Sequence, residues 1–478
     1  MKAIGRHLDS ALELFEERYS NYAVIALCAL FIAAGILVSL NRYWQYEVSY
    51  IDFGKYDQAL WSISRFKEPI IDHFVLGKIN VFGDHVTPSV FLLSPLYWIT
   101  DRSEVILIAQ AVMVGLSGYL LYDLAKHVLK NKLLSLSILV SYFLFVGLQN
   151  AVITEFHELT IMALPLMATI WAYVKNKKIL YFLFLLMTLG HKETTFALGI
   201  GIGAAIFFLR KDWRKISIAT ILLSFVWGLV SFNIILPYFL KGVYLYSPLF
   251  PEDLFGKAYA LVDHPLKRET LFFSFLSFSF LPVFAWQFWT AIFQDYAMRF
   301  IPLYFETRWG LGLHYNAQSG VILAVSSVYG LRFILERLSL KKKYITILAI
   351  LIIFNAIFLF RFVLHGPFLL ALNKAFYEHT KNFKFLDPIL AKVPKDKSVM
   401  TQSSLATRFT HQKVFLLDYQ YENYNPEYIL IDNRGGQNPN NFIGTEQKIE
   451  SIIGKLKKDS DYVLTYHTDE QFIFKKSK

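Results

Sequence analysis

Along roughly the first three-quarters of the chain, long apolar runs alternate with short polar connections. Tyr22 to Leu40 is the first run long enough to cross ~30 Å of hydrocarbon, and it lacks the small-residue cleavage site of a secretory signal. Further runs follow at 105–122, 133–149, 159–174, 179–190, 194–209, 216–236, 270–303, 319–335 and 344–362. Pro282 interrupts the run 270–303, which predicts a tight hairpin crossing twice and brings the total to about eleven spans. Ahead of them, residues 1–22 carry Leu8, Leu12 and Phe15 at helical spacing among both charge signs, the pattern of a helix lying on the cytoplasmic membrane surface. The pattern changes after Phe362. Strand-like runs at Ser398 to Thr401, Val414 to Asp418, Tyr428 to Asp432, Tyr462 to Tyr466 and Gln471 to Lys475 alternate with helical stretches at 402–410 and 445–458. The expected organisation is a membrane domain over 23–362, with a large outer loop at 42–104, and a small α/β domain over 363–478.

Composition agrees with this division. Apolar residues are 55% and charged residues 18% of 478, too little polar side chain to solvate a globule of that size, which excludes soluble, disordered and fibrous classes. Cys28 is the single cysteine, so internal disulfides and thiolate metal cages are excluded. The net charge of +11 acquires meaning from its distribution. Lys126, Lys130 and Lys132 fall in one connection, Lys175, Lys177 and Lys178 in the next, then Arg210, Lys211, Arg214 and Lys215, and finally Arg337 with Lys341 to Lys343. All four belong on the cytoplasmic side, whereas 42–104 has six Lys or Arg against eight Asp or Glu and belongs outside. The amino terminus is then expected in the cytoplasm and the α/β domain outside. No continuous basic stripe remains to bind nucleic acid.

Several polar clusters stand out against this background. The outer loop holds Asp52-Phe53-Gly54-Lys55-Tyr56-Asp57-Gln58-Ala59-Leu60-Trp61 and the turn containing Asp84 and His85. Leu60, Ile63, Phe66 and Ile70 share a helical spacing, which predicts an amphipathic helix there. Glu155, His157 and Glu158 lie between the third and fourth spans, and His191-Lys192-Glu193 between the fifth and sixth. The run 179–190 reaches only ~18 Å, so the corner at 191–193 is expected at membrane depth, where charge is tolerated only in a polar cavity or buried in protein. An ion pair of Lys192 with Glu155 or Glu158 is the structural alternative. Arg308, Trp309, His314 and Tyr315 form a further outer cluster suited to phosphate or a sugar ring. His157 and Glu158 with Asp52 or Asp57 are residue types that a divalent cation takes as ligands; no cofactor is otherwise indicated.

These segments, in this order and spacing, resemble the prokaryotic membrane-protein family known as domain of unknown function 2079, over about residues 45–435. Thr194 follows Lys192-Glu193 where that family more often has an acid. The family is similar to the GT-C superfamily of integral-membrane glycosyltransferases. The resemblance implies a GT-C-like protein of the cytoplasmic membrane and cell envelope that takes a sugar from a polyprenyl-phosphate donor on the outer face. It implies that Asp52 or Asp57 is the catalytic base or a metal ligand. The expected chemistry is inverting transfer to a hydroxyl of a glycan, lipid or protein acceptor. Lys192 with Arg308 would hold the departing lipid phosphate, and Asp84, His85, Glu155, His157, Glu158, Glu193, His314 and Tyr315 would bind substrate. The alternative is a lipid or solute transporter, or flippase, using the same polar cavity.

Overall fold

The computed structural model describes residues 20–73, 77–240, 244, 246–435 and 446–477. The surface helix expected at 1–22 falls outside them, except that residues 20–22 open the first long helix. That helix, α1 (Ser20–Trp44), leads through a π-helical turn at Tyr50–Gly54 into α2 (Lys55–Ser64). The amphipathic helix stops there. Phe66 takes a left-handed φ of 56°, Pro69 follows, and Ile70 lies in β1 (Ile70–His73), paired antiparallel with β2 (Gly77–Asn80). The helical spacing of Leu60, Ile63, Phe66 and Ile70 therefore continues past the end of its helix.

A helical bundle follows: α3 (Glu104–Leu129), α4 (Lys132–Leu144), α5 (Val146–Thr154), α6 (Ala163–Val174), α7 (Lys178–Leu189), α8 (Thr195–Leu209), α9 (Arg214–Val230), α10 (Pro265–Ser277), α11 (Trp289–Phe300), α12 (Asn316–Leu338) and α13 (Lys342–Phe358). Among the described residues four helices are long and apolar enough to cross a membrane, Ser20–Trp44, Glu104–Leu129, Lys211–Phe239 and Lys342–Val363, or five if α4 and α5, bent by 47°, form one span. These helices do not support the expectation of about eleven crossings. The segments Glu158–Val174, Lys178–Leu189 and Thr195–Leu209 are apolar but short. The expected hairpin at 270–303 breaks at Ser279 and Phe280, both at positive φ, and its arms of 13 and 12 residues reach only ~20 Å each. α12 has the length, but Ser319, Ser326 and Ser327 are buried against neighbouring helices, as befits a central element and not a lipid-facing one.

Close backbone approach sets the packing of α12. A Cβ on Gly330 would lie 2.0 Å from the backbone oxygen of Leu281. Gly330→Ala should therefore separate α12 from the 281–284 turn and cost ~1–3 kcal/mol, read as a lower thermal unfolding midpoint in detergent; an unchanged midpoint would contradict this contact.

The C-terminal region forms a five-stranded mixed sheet in the order β4-β3-β5-β7-β6, with β3 (Val399–Thr401), β4 (Val414–Leu416), β5 (Tyr428–Asp432), β6 (Tyr462–His467) and β7 (Gln471–Lys476). All five strands fall where the alternation of apolar positions predicts them. The stretch expected as a helix over 402–410 keeps only one turn, Ser403–Ala406. The period-two pattern of the sheet buries both of its faces: Met400, Ile429 and Ile431 pack with Ile452 and Leu456 of the helix Glu446–Leu456. Val399, Leu430 and Ile473 face the other way and join Tyr46 and Tyr50 from the connection after α1.

Side chains clasp this second face to the first connection. The Arg408 guanidinium lies 3.5 Å from the Tyr43 ring centroid and 4.4 Å from that of Tyr46, and Asp72 Oδ2 accepts from Leu416 N at 2.9 Å. Burial pushes the Asp72 carboxyl up to about 6, against ~3.9 in an unfolded chain. The folded state thus holds this proton more tightly, so stability is gained as pH falls through about 6 and is forgone above it, an effect of up to ~3 kcal/mol. Asp72→Asn keeps the acceptor for Leu416. Its melting temperature should exceed that of the wild type most at about pH 7.5, by roughly half as much at about pH 5, and match it only below about pH 3.9; a constant difference across that window would refute the assignment.

Candidate functional site

One buried amide organises the site. Gln110, in the apolar middle of α3, donates to Val152 O (2.9 Å) and Glu155 O (2.6 Å) and accepts from His157 N (2.9 Å). It thereby pairs the backbone groups left free where α5 ends and residues 155–157 run extended, a conformation that buried backbone tolerates only with such partners. The corner after α7 is tied similarly: Thr195 Oγ1 donates to Leu189 O and Lys192 O, and Trp227 Nε1 donates to Lys192 O at 3.1 Å. Two breaks in short helices thus deliver Glu155, His157, Glu158, Lys192 and Glu193 to one place.

Three linked polar groups fill it. Lys192 Nζ donates to Glu158 Oε1 at 2.7 Å, and Tyr56 OH donates to Glu158 Oε2 at 2.9 Å. Of the two pairings that the sequence allows for Lys192, the fold takes Glu158. Lys55 Nζ donates to Asp84 Oδ2 at 2.7 Å, and Tyr246 OH to Asp84 Oδ1 at 2.8 Å. Burial opposes both charges of that pair. The Lys55 ammonium, with lesser help from His85 and His73, still holds the Asp84 carboxyl well below its usual range, and Asp84 holds Lys55 well above its own. Glu193 is bonded by His85 Nδ1 (3.0 Å), Val86 N (3.0 Å) and Tyr244 OH (2.6 Å). Glu155 accepts from Ser49 Oγ and Phe53 N, and burial followed by the charge of Asp52 pushes its carboxyl well up.

Beside these closed pairs lies an open group. Asp52, with 39% of its side chain exposed, sits 3.7 Å from His157 Nε2 and 4.0 Å from Lys55 Nζ. The rings of His157 and His314 stack with centroids 3.4 Å apart, and His314 leans on Tyr315 at 4.0 Å. His157 Nε2 and His314 Nδ1 are buried with no hydrogen-bond partner among the described residues. Burial, then the neighbouring His157, pushes the His314 imidazole well below its usual value, so it stays neutral. Across Tyr315, Arg308 stacks on Phe305 (3.9 Å) and lies 5.8 Å from the Tyr315 ring centroid, with no carboxylate partner among the described residues. A cavity of about 70 Å³ touches Lys192, Tyr315 and Arg299. Arg299 shapes this loop by donating to Arg308 O, Gly310 O and Asn316 Oδ1.

Asp57 is elsewhere. It is buried against the C-terminal region, bonded by Tyr97 OH and Thr410 Oγ1, with His411 Nε2 at 3.3 Å. Burial raises its carboxyl, but His411, with Thr410 and Tyr97, outweighs burial and holds it below the ordinary range. Its place is in the clasp, apart from the open carboxylate of Asp52. His191 turns back to Met187 O on its own helix. Among the described residues no three His, Cys, Asp or Glu side chains converge as metal ligands, and Asp57 stands apart from His157 and Glu158, so the residues do not fit the divalent cation considered from sequence. Sequence reasoning missed Gln110, Tyr244 and Tyr246, and quoted Tyr56 only as part of the Asp52–Trp61 segment, with no role of its own. A lone amide in an apolar helix was the available signal for Gln110; the tyrosines have none among 28.

The cluster gathers residues at or just before the amino-terminal ends of α6, α8 and α12. The carboxyl-terminal ends of the same helices, with that of α3, surround a cavity of about 710 Å³ at the basic connections. The charge pattern that grouped these connections on one side therefore matches their position at one end of the bundle. No curated protein matches the chain. A family model described as Predicted membrane protein (DUF2079) matches residues 42–472, from the end of α1 into the last strand, and the chain belongs to that family.

Proposed function

We propose that this protein is a membrane glycosyltransferase of GT-C type, which moves a sugar from a polyprenyl-phosphate donor to an acceptor hydroxyl on the outer face of the membrane. The observation that carries the reading is the exposed Asp52 carboxylate 3.7 Å from His157 Nε2, with His314 stacked on His157; His157 Nε2 and His314 Nδ1 are buried with no hydrogen-bond partner among the described residues. Unpaired buried nitrogens are costly unless a ligand satisfies them, and Asp52 is free to take a proton. In the reaction the Asp52 carboxylate takes the acceptor hydroxyl proton. The acceptor oxygen then bonds to the anomeric carbon from the face opposite the leaving group, while the bond from that carbon to the phosphate oxygen breaks. Its electron pair leaves with the polyprenyl phosphate, near Arg308 and Lys192. His157 and His314 orient the acceptor. The basic connections at the opposite end of the bundle support an outward-facing site.

Purified protein supplied with labelled polyprenyl-phosphate sugars and envelope glycan or lipid acceptors should give covalent product with consumption of donor. A transporter has one specific observation in its favour, a buried Glu155 carboxyl that burial and then the charge of Asp52 push well above its usual range. Pumping of a lipid or solute across proteoliposomes, with donor intact, would replace the transferase reading.

A further inference from the structure

A cavity of about 710 Å³ lies at the opposite ends of α6, α8 and α12 from the polar cluster, where these helices and α3 end. Lys130, Arg210 and Arg332 line it, against the single carboxylate of Glu336. Arg332 Nε is paired to Glu336 at 2.7 Å and Arg210 to Asp212, but Lys130 has no carboxylate partner among the described residues. Cations at helix ends are expected, because the last carbonyls carry partial negative charge. Capping alone does not account for a space of about 710 Å³ held open between them. Exposed aromatic rings also line it: Phe208 and Phe333 belong to its wall, and exposed Trp286 packs on Phe208 with centroids 5.4 Å apart. A cleft lined by exposed cations and exposed aromatic rings suits a molecule with an anionic head and hydrocarbon tails.

We propose that this cavity binds the phosphate headgroup of an anionic phospholipid, from the leaflet beside the basic connections, with its acyl chains along Phe208, Trp286 and Phe333. The site is separate from the proposed transfer chemistry and does not depend on it. Arg210 and Lys130 face the phosphate, and Arg332 exchanges part of its contact with Glu336 for it.

The test uses the full chain in detergent, with thermal unfolding followed on adding phosphatidylglycerol, phosphatidylcholine or inorganic phosphate. Phosphatidylglycerol should raise the midpoint by at least about 3 °C, with little effect from the other two. In Lys130→Asn/Arg332→Gln the phosphatidylglycerol shift should fall below about a third of the wild-type value. Both positions are exposed, and Asn tolerates the left-handed backbone of residue 130 (φ 54°), so the variant should fold. If it does not, Lys130→Asn alone should still reduce the shift. An undiminished shift in the variant that folds, an equal shift with phosphatidylcholine or inorganic phosphate, or no shift in the wild type would each overturn the proposal.

Discussion

Asp52→Asn should lower the turnover of sugar transfer by on the order of 10³-fold, with a small change in donor KM. The substitution keeps size and hydrogen bonding but removes the ability to take a proton. Asp52 makes no close ion pair that the fold depends on: the basic groups beside it, His157 and Lys55, are 3.7 and 4.0 Å away, and more than a third of its side chain is exposed. Its melting temperature should therefore stay near the wild-type value, which separates a chemical loss from an unfolding loss. Asp57→Asn should behave in the opposite way. It weakens a buried acceptor shared by Tyr97, Thr410 and His411, so it should loosen the C-terminal region before it affects the chemical step. Initial rates and melting curves on both variants decide the matter. Transfer undiminished in Asp52→Asn would remove the base from the mechanism.

Lys192→Met should destabilise the bundle by ~3–5 kcal/mol. Glu158 is buried, with Lys192 at 2.7 Å as its closest cation, and removing the ammonium leaves its carboxylate with Tyr56 OH and a distant His157 Nδ1 at 3.8 Å. Two charges taken out of water offset one another; one alone does not. The double variant Lys192→Met/Glu158→Gln should recover much of the loss, because the uncompensated charge is gone while Tyr56 keeps an acceptor. Thermal unfolding of the two singles and the double completes the cycle. Additive losses would show that Lys192 and Glu158 act independently, contrary to their contact. Stability is the useful readout here, because Lys192 also stands near the proposed leaving phosphate and activity alone would mix the two roles.

Much of the candidate site was legible in the sequence because its residues sit where apolar periodicity is broken. Glu155, His157, Glu158, Lys192 and Glu193 interrupt runs too short to span, and the fold collects all of them. What could not be read was the pairing. Glu155 and Glu158 are three residues apart, yet Glu158 holds Lys192 and Glu155 caps the turn that carries Phe53. Asp52 and Asp57 share one motif, yet one opens to solvent while the other is buried under the C-terminal region. A five-residue separation across a π-helical turn and the start of α2 points their carboxylates to different partners, and the second partner, His411, is more than 350 residues away in sequence.

By itself the sequence determined the membrane class, the strands of the C-terminal sheet and the grouping of the four basic connections. Each depends on local hydropathy, on period-two alternation or on charge in short segments, and those act wherever the chain folds. The number of helices long enough to cross, the end of α2, and the separation of an open carboxylate from a buried one were decided only by tertiary structure. Helix length is set by where buried partners such as Gln110 can repair a broken backbone. The environment of a carboxylate is set by which distant donors pack against it. Neither is recorded in the residues next to it.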